Sequence, residues 1–418
     1  MGKRKTEILT GVELGTSSIK VLMGEFLEDD ALNVLGVAER PSLKIMKGEV
    51  LDAALVSEQL ALALSEAEKA SGEEIGQVFL AVTGGSVRSV SSVGSAVIHA
   101  AEHRITENDV ITALNNARAY GLPPDKRVLH HMDRRYMVDG EREVLNPIGQ
   151  VGGRLDADIQ IVYGQHNSIE TACRIVRDVM GYAATDIAFS GVAAGFGVFS
   201  PAEMARGSLV IDIGAGVTEY VLFHGPGVFH SGQITVGCEH IVNDLALGLR
   251  LPVPRCRTIL QEMEGFGASA MMRPDARNRI MEVETLAQQV RSIPLSAVEQ
   301  IIELRLQELL QIIYKELRKK DALARIANSV AVTGGGALIP GADAMVREVF
   351  QMPARAAQPY QLNGQHDIVG SPRYAVLAGL LRWGRMTLEI GDTDLPLREQ
   401  IVQDIKRFFA LFKNAFKW

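Results

Sequence analysis

The sequence predicts an α/β protein of two related lobes, with a smaller domain inserted into the first. Residues 8–26 (ILTGVELGTSSIKVLMGEF) and residues 208–223 (SLVIDIGAGVTEYVLF) share one pattern: an apolar run, an acid, a short glycine turn and a second apolar run. This pattern predicts a β-hairpin. After each hairpin, an apolar run ends in Val-Thr-Gly-Gly, at residues 82–85 and 332–335. The same elements in the same order predict a duplicated architecture.

Length and composition are those of a folded protein with two or three domains. The chain has 418 residues, of which 47% are hydrophobic and 22% charged. Its net charge of −7 argues against nucleic acid as a partner. Cys173, Cys238 and Cys256 lie far apart and form no CxxC pair, which indicates reduced thiols. We find no secretion signal and no apolar run of about 18 residues, so we expect no membrane-spanning helix.

The glycine turns suit a phosphate-binding site. Glycine lets backbone N–H groups approach an anion closely, and consecutive N–H groups form a concave nest. Thr16, Ser17 and Thr218 would add hydroxyl donors, and a third glycine loop lies at residues 334–336. Either turn alone could simply close a hairpin. Two matched turns and a third loop favour a nucleotide.

An acid stands just before each turn, Glu13 in the first hairpin and Asp212 in the second. Such acids could hold Mg²⁺ through water, because Mg²⁺ keeps much of its hydration shell when it binds to proteins.

The segment between Thr83 and Tyr163 has the size of an inserted domain. Its one predicted helix begins at Thr106 and Asp109, a capping pair, and runs to about Tyr120. His130 and His131 are adjacent, so on a strand they point to opposite faces and cannot share a metal. We expect both to be ordinary strand residues.

A long helix is predicted over residues 296–320, directly after Pro294. Arg305 and Glu308 lie one turn apart on it and could form an intrahelical ion pair. One face of this helix should be buried, because Ile302, Leu306, Leu309, Ile313 and Leu317 form an apolar stripe.

The last residues, 401–418, predict a basic amphipathic helix. Bulky aromatic side chains on one face and lysines on the other are typical of a helix that lies in the membrane interface. The alternative is a terminal helix that packs on the protein's own core. The residues predicted to contact lipid are Ile401, Ile405, Lys406, Phe408, Phe409, Phe412, Lys413, Phe416, Lys417 and Trp418.

These motifs resemble those of the actin-like ATP-binding proteins and, among them, the FtsA family of bacterial cell-division proteins. GVELGTSSIK and LVIDIGAGVTEYVLF resemble the two phosphate loops, and SVAVTGGGALIPG resembles the adenosine-binding loop. LPPDKRVLHHMDRRYMVDG and NPIGQVGGRLDADIQIV resemble the inserted subdomain 1C of that family. The resemblance covers nearly the whole chain.

The resemblance implies an actin-like (ribonuclease H-type) fold with an inserted 1C subdomain and a C-terminal amphipathic helix. The first lobe would contain subdomain 1A, the insert 1C, and the second lobe subdomains 2A and 2B. The implied bounds are 1–82, 163–205 and 365–385 for 1A, 83–162 for 1C, 206–235 and 330–364 for 2A, 236–329 for 2B, 386–398 for a linker and 399–418 for the helix.

The resemblance also implies ATP and Mg²⁺ between the lobes, with weak or no ATPase activity. Glu13 and Glu219 stand where the family usually has Asp, and Gly237-Cys238 replaces a Gly-Gly pair. The helix after Pro252 lacks the Glu and Lys that the family places near ribose and base. Asp212 and Glu13 would lie near Mg²⁺, and the implied nucleotide-binding residues are Gly15, Thr16, Ser17, Asp212, Gly214, Ala215, Gly216, Thr218, Gly334, Gly335 and Gly336.

The implied partners are those of a division scaffold. The helix around Arg305 and Glu308 would bind the C-terminal tail of FtsZ. The insert would mediate self-association and contact later division proteins, and the tail would bind anionic membrane lipid. The protein would then lie on the cytoplasmic face of the membrane, at the division septum.

Two other functions stay open. A scaffold of another membrane machine, such as a PilM-like pilus-assembly protein, shares the inserted domain. An actin-fold small-molecule kinase shares the loops, but it would need a carboxylate base in the first half.

Overall fold

The computed structural model describes residues 7–99, 102–225, 227–264, 280–284 and 290–389. The predicted membrane helix, 399–418, and residues 390–398 of the predicted linker lie outside the described residues. Residues 386–389 of that linker are helical, so the helix before it ends later than we predicted.

The first lobe begins with the predicted hairpin. It consists of β1 (Leu9–Leu14) and β2 (Ser18–Phe26), which pair antiparallel. Then come β3 (Leu32–Pro41), the short strands β4 (Ile45–Met46) and β5 (Glu49–Val50), helix α1 (Ala53–Ser71) and β6 (Gln77–Val82). β6 pairs parallel with β1 and ends at the first Val-Thr-Gly-Gly motif.

The insert is one antiparallel sheet with one helix. Its elements are β7 (Arg88–Val97), α2 (Glu107–Arg118), β8 (Lys126–Val138), β9 (Arg142–Val144) and β10 (Arg154–Gln165). In space the strand order is β7-β10-β8-β9. The predicted cap is present, because the Thr106 side chain accepts from the Asp109 N–H while the Asp109 carboxylate accepts from the Thr106 N–H.

The chain then returns to the first lobe and passes into the second. Helix α3 (His166–Met180) is followed by β11 (Asp186–Phe189), α4 (Ser190–Val198) and α5 (Pro201–Gly207). β11 pairs parallel with β6 at the edge of the first sheet. All nine residues of α4 are buried, so this helix lies inside the molecule.

The second lobe repeats the first hairpin and adds helices. Its first elements are β12 (Ser208–Ile213), β13 (Thr218–His224), β14 (Gly227–Ile234), α6 (Cys238–Leu249), α7 (Val253–Glu264), β15 (Ile280–Glu284) and β16 (Val290–Pro294). The lobe is completed by α8 (Leu295–Lys319), β17 (Ser329–Thr333), α9 (Ala342–Phe350) and β18 (Ala354–Ala356). The last elements of the chain are β19 (Leu362–Gly364), which joins the first sheet, α10 (His366–Val369) and α11 (Ala375–Glu389).

The two main sheets confirm the predicted duplication. Their strand orders are β11-β6-β1-β2-β3-β19 and β14-β13-β12-β17-β18. In the second sheet β12 pairs antiparallel with β13 and parallel with β17, as β1 does with β2 and β6. One boundary differs from the prediction: residues 362–364 pair with β3 of the first sheet and so do not belong to the second lobe.

The stripe of α8 is buried as predicted. Ile302, Leu306, Leu309, Ile313 and Leu317 are each at most 3% exposed and pack into the core of the second lobe.

His130 is also buried, and its Nε2 accepts from the Phe189 N–H at 2.8 Å. Burial lowers the pKa of His130 to about 3. It is therefore a neutral core residue of β8, which agrees with the expectation of an ordinary strand residue.

The insert packs on the second lobe as well as on the first. The Arg134 Nε of β8 donates to the Phe229 carbonyl of β14 at 2.8 Å, and its guanidinium lies 4.1 Å from the Phe229 ring centre. Glu143 of β9 accepts two bonds from Arg325, at 2.9 and 3.0 Å. Charge-assisted bonds of this kind fix orientation, so the insert bridges the two lobes.

Helices α4 and α11 cross with backbone against backbone. A Cβ at Gly379 would lie 1.7 Å from the Ala193 carbonyl oxygen, and one at Gly197 would lie 2.1 Å from the Ala375 carbonyl oxygen. Only glycine fits such an approach. Beyond the crossing, α11 continues to Glu389, and its Trp383 Nε1 and Thr387 Oγ1 both donate to Asp186, at 2.9 and 3.3 Å.

We expect Gly379→Ala to lower the free energy of unfolding by about 3 kcal/mol, because the added methyl group must push two helices apart. Urea denaturation measures this loss. Gly121→Ala is the matched control, since a Cβ at Gly121 meets nothing within 4 Å. Equal stability of the two variants would contradict the proposed backbone contact.

Candidate functional site

A cavity lies between the lobes, where the two hairpin turns and the third glycine loop meet. Most of the residues that we predicted to bind nucleotide line it, although they are far apart in the sequence. These lining residues are Glu13, Gly15, Thr16, Ser17, Asp212, Gly214, Ala215, Gly216, Gly334 and Gly335.

The hairpin turns have the same internal geometry. The Gly15 N–H donates to the Ser18 carbonyl at 3.0 Å, and the Gly214 N–H donates to the Val217 carbonyl at 3.0 Å. The turns also face each other closely, because a Cβ at Gly216 would lie 2.7 Å from Thr16 Oγ1. A larger residue at position 216 would therefore force the lobes apart.

The third glycine loop passes directly over the second acid. Gly334 has a φ of 77°, and a Cβ there would lie 2.2 Å from Asp212 Oδ1. Gly335 differs, because a Cβ at this position would meet nothing within 4 Å. The loop thus brings backbone close to Asp212 and leaves open space beside it.

Two of the predicted residues lie behind the cavity wall. Thr218 is fully buried, and its hydroxyl donates to the Val236 carbonyl at 2.8 Å, so it ties β13 to the segment that follows β14. Gly336 packs against Ile213, where a Cβ would lie 2.3 Å from Cγ2. Both are predicted nucleotide-binding residues, but neither lines the cavity.

Five carboxyl groups line the cavity, and three of them, Glu13, Asp212 and Glu219, lie close enough to interact. Burial, followed by the negative charges of Glu219 and Glu13, raises the pKa of Asp212 to about 8. Burial raises the pKa of Glu219 to about 7, although hydrogen bonds from Ser190 and Thr83 oppose this rise. At neutral pH Asp212 is therefore mostly protonated when no cation is bound, and a bound cation would favour its ionised form.

Glu219 connects three parts of the molecule. It lies on β13 of the second lobe and accepts from Thr83 Oγ1, at the start of the insert, at 2.7 Å. It also accepts from Ser190 Oγ, the first residue of α4. The sequence showed Glu219 as a charged residue in an apolar strand that stands where the family usually has Asp, but no pattern pointed to these partners.

Lys20 is a cavity residue that the sequence analysis missed. It is 8% exposed, and its Nζ donates to Glu13 Oε2 and to the Arg373 carbonyl, both at 3.1 Å. The sequence did contain a signal for a functional residue here, because Lys20 is the one charged residue in the buried part of β2. Glu39 and Arg373 also line this end of the cavity.

The donor set fits a hydrated Mg²⁺. Carboxylate oxygens are the protein ligands that Mg²⁺ prefers, and the crowding of Asp212 with Glu13 and Glu219 would be relieved by a divalent cation. Within the described part of the chain, no group of three His, Cys, Asp or Glu side chains could hold a metal directly. Binding of Mg²⁺ to these carboxylates through water, as we predicted, is therefore the kind of site to test.

The other end of the cavity is formed by α6 and α7. Val242 and Leu260 supply apolar surface, and Glu239, Arg257 and Gln261 supply polar groups. The Arg257 Nε and Nη2 donate to the two Glu239 oxygens at 3.0 and 2.7 Å. The sequence showed only that this helix lacks the family's usual Glu and Lys.

Arg305 lies outside the cavity and has two acidic partners. Its Nη1 donates to Glu308 at 2.6 Å, which confirms the predicted intrahelical pair. Its Nε and Nη2 donate to Asp244 of α6, at 2.5 and 3.0 Å, a contact that the sequence could not show. The ion pair therefore joins α6 to α8.

Two leucines next to this ion pair are exposed, Leu247 by 79% and Leu304 by 59%. The helices run antiparallel, because Asp244 contacts Arg305 while Gly248 approaches Ile301. Leu247 precedes Gly248 and Leu304 precedes Arg305, so at 100° per residue both project from the same side of the helix pair. This side is an apolar surface beside a charged cluster.

None of the helices within the described ranges is both long and apolar enough to cross a bilayer.

Comparison with known protein families gives two matches. The family model described as "SHS2 domain inserted in FTSA" matches residues 84–163, and the model described as "Cell division protein FtsA" matches residues 209–379. Together they cover more than half of the chain.

Curated relatives align over nearly the full length. The chain is 28% identical to the cell division protein FtsA of Pseudomonas aeruginosa over 379 residues, which cover 90% of this chain and 89% of the relative. It is 26% identical to FtsA of Escherichia coli (strain K12) over 419 residues, which cover 98% of each chain.

Solved structures show the same fold at low identity. The chain from the PilM-PilN type IV pilus biogenesis complex superposes with a TM-score of 0.62 at 15% identity, covering 90% of this chain and 98% of that one. MreB 5 of Spiroplasma citri bound to AMPPNP superposes with a TM-score of 0.55 at 14% identity, covering 92% and 98%. The fold is therefore actin-like, and the chain belongs to the FtsA family of cell-division proteins.

Proposed function

We propose that this protein binds ATP in the cavity between its lobes and anchors an FtsZ polymer to the cytoplasmic face of the membrane. One observation carries the proposal of ATP binding: three glycine loops from two lobes converge on a single cavity. The similar structure of MreB 5 of Spiroplasma citri is a complex with the nucleotide AMPPNP. The residues of this cavity suit the same class of ligand.

The phosphates would lie between the two hairpin turns, where backbone N–H groups and the Thr16 and Ser17 hydroxyls can donate. Asp212 and Glu13 would hold Mg²⁺ through water, and the ion would neutralise charge on the phosphates. Glu219 is already held by Thr83 and Ser190, so its role is to fix the two lobes. We propose weak or no ATPase activity.

The membrane role rests on the sequence of the tail. Residues 401–418 carry aromatic and aliphatic side chains on one helical face and lysines on the other. One such helix binds lipid reversibly, while many helices on a self-associated protein would hold firmly. We propose peripheral binding to anionic lipid at the division septum, with self-association and recruitment of later division proteins through the insert.

The proposed FtsZ site is the α6–α8 surface around Arg305 and Glu308. An exposed apolar pair, Leu247 and Leu304, lies beside a cluster of charges. Buried apolar anchors with charged groups at the rim are the usual composition of a peptide-binding surface. We propose that the C-terminal tail of FtsZ binds across this surface.

The pilus-scaffold alternative has less support. The PilM similarity is 15% in sequence and shows the fold alone, whereas two FtsA models match the chain. Binding of the FtsZ tail distinguishes the two functions.

We expect Gly335→Asp to weaken ATP binding at least tenfold, because it adds a carboxylate to open space beside the phosphate position. Isothermal titration with MgATP measures the affinity. Gly335→Asn is the control, as it has nearly the same shape without the charge and should bind within threefold of wild type. If the Asp variant binds as tightly as the Asn variant, the phosphates do not lie at this loop.

We expect deletion of residues 401–418 to release the protein from liposomes that contain anionic lipid and to leave ATP affinity unchanged. Replacing Lys406, Lys413 and Lys417 with Gln should cause a partial loss, because each basic residue adds about 1 kcal/mol near an anionic surface. Co-sedimentation measures both effects. Unchanged sedimentation of the truncated protein would rule out the tail as the anchor.

We expect Leu304→Asp to weaken binding of an FtsZ C-terminal peptide at least tenfold, because an exposed apolar anchor becomes charged. Fluorescence anisotropy with a labelled peptide measures this affinity. Leu62→Asp, on the exposed face of α1, is the matched control and should bind as wild type. Unchanged affinity of the Leu304 variant would place the site elsewhere.

A further inference from the structure

The end of the cavity formed by α6 and α7 differs chemically from the end that carries the glycine turns. Val242 and Leu260 line it with apolar surface, and Gln261 adds an amide. Apolar walls with a few directed polar groups are typical of a site for a flat organic group, whereas glycine turns suit phosphates. This inference rests on the proposed binding of ATP, whose base would then lie at this end.

Arg257 is held in one orientation at this end of the cavity. Its Nε and Nη2 form two parallel bonds to the Glu239 carboxylate, at 3.0 and 2.7 Å. This fork geometry fixes the plane of the guanidinium. The Arg257 side chain is 47% exposed and lines the cavity, so part of its surface remains available to a ligand.

A guanidinium fixed in this way can bind a nucleobase through its flat face. Arginine stacks on aromatic rings, and the attraction grows when the pair is partly shielded from water. Lysine carries the same charge but lacks the planar group and the paired donors. Glu239 contributes by holding the plane, so it acts as a positioning residue.

We propose that Arg257, oriented by Glu239, stacks on the base of the bound nucleotide and supplies a base-dependent part of its affinity. The phosphate end of the cavity does not depend on this contact, because the glycine turns and Lys20 form it separately.

The test compares ATP with inorganic tripolyphosphate, which has the phosphates but no base or ribose. We expect Arg257→Lys to weaken MgATP binding about tenfold and to leave tripolyphosphate affinity unchanged. Glu239→Gln should have the same selective effect, because the fork loses its charged acceptor. Isothermal titration of the full-length protein gives both affinities.

Arg255→Lys is the matched control. Arg255 lies on the same helix and pairs with Glu262 at 2.9 Å, but it does not line the cavity. Its substitution should leave both affinities unchanged.

Each outcome decides between the proposals. If Arg257→Lys binds ATP as wild type, or loses ATP and tripolyphosphate equally, the stacking role is overturned. If wild type binds neither ligand, the proposed nucleotide function fails, and the stacking role fails with it. If wild type binds both ligands and only ATP is affected by the substitution, both proposals are supported.

Discussion

The close crossing of α4 and α11 is the constraint on which the rest of the structure depends. At Gly197 and Gly379 the helix backbones touch, and a residue at the start of each helix, Ser190 of α4 and Val376 of α11, lines the cavity. Ser190, the first residue of α4, donates to Glu219. The turn before α11 supplies the Pro372 carbonyl, which accepts from the Gly334 N–H at 3.2 Å. The packing that joins the lobes therefore also fixes the spacing of the groups that face the cavity.

The cavity concentrates carboxyl groups whose ionised forms the fold alone does not fully stabilise. Asp212 is half-buried and Glu219 is buried, their pKa values are raised to about 8 and about 7, and Lys20 is paired with Glu13. Such an arrangement costs stability unless a cation or ligand relieves it. Strain of this kind is typical of binding sites. The insert takes part in it, because the Thr83 hydroxyl at its start binds Glu219 across the lobes.

The elements that were predicted correctly are those with local signals. The hairpins follow from apolar runs around glycine turns, the buried face of α8 from helical spacing, and the cap of α2 from Thr106 and Asp109. The errors both concern contacts between residues that are separated in the sequence. Thr218 looked like a phosphate donor because it follows a glycine turn, yet strand alternation points its hydroxyl to Val236. The strand at residues 362–364 joined the first sheet through a long-range pairing with β3 that no local pattern encodes.

The sequence by itself determined the duplicated hairpins, the glycine loops, the acids before them and the amphipathic pattern of the tail, because each depends on residues close together in the chain. Only the tertiary structure decided which of these groups meet. Lys20 reaches the Arg373 carbonyl over 353 positions in sequence, and Arg257 reaches Glu239 between two helices. These contacts depend on how helices and sheets pack, and packing is set by the whole chain at once. The convergence of these groups on one cavity is therefore a property of the fold and not of any one motif.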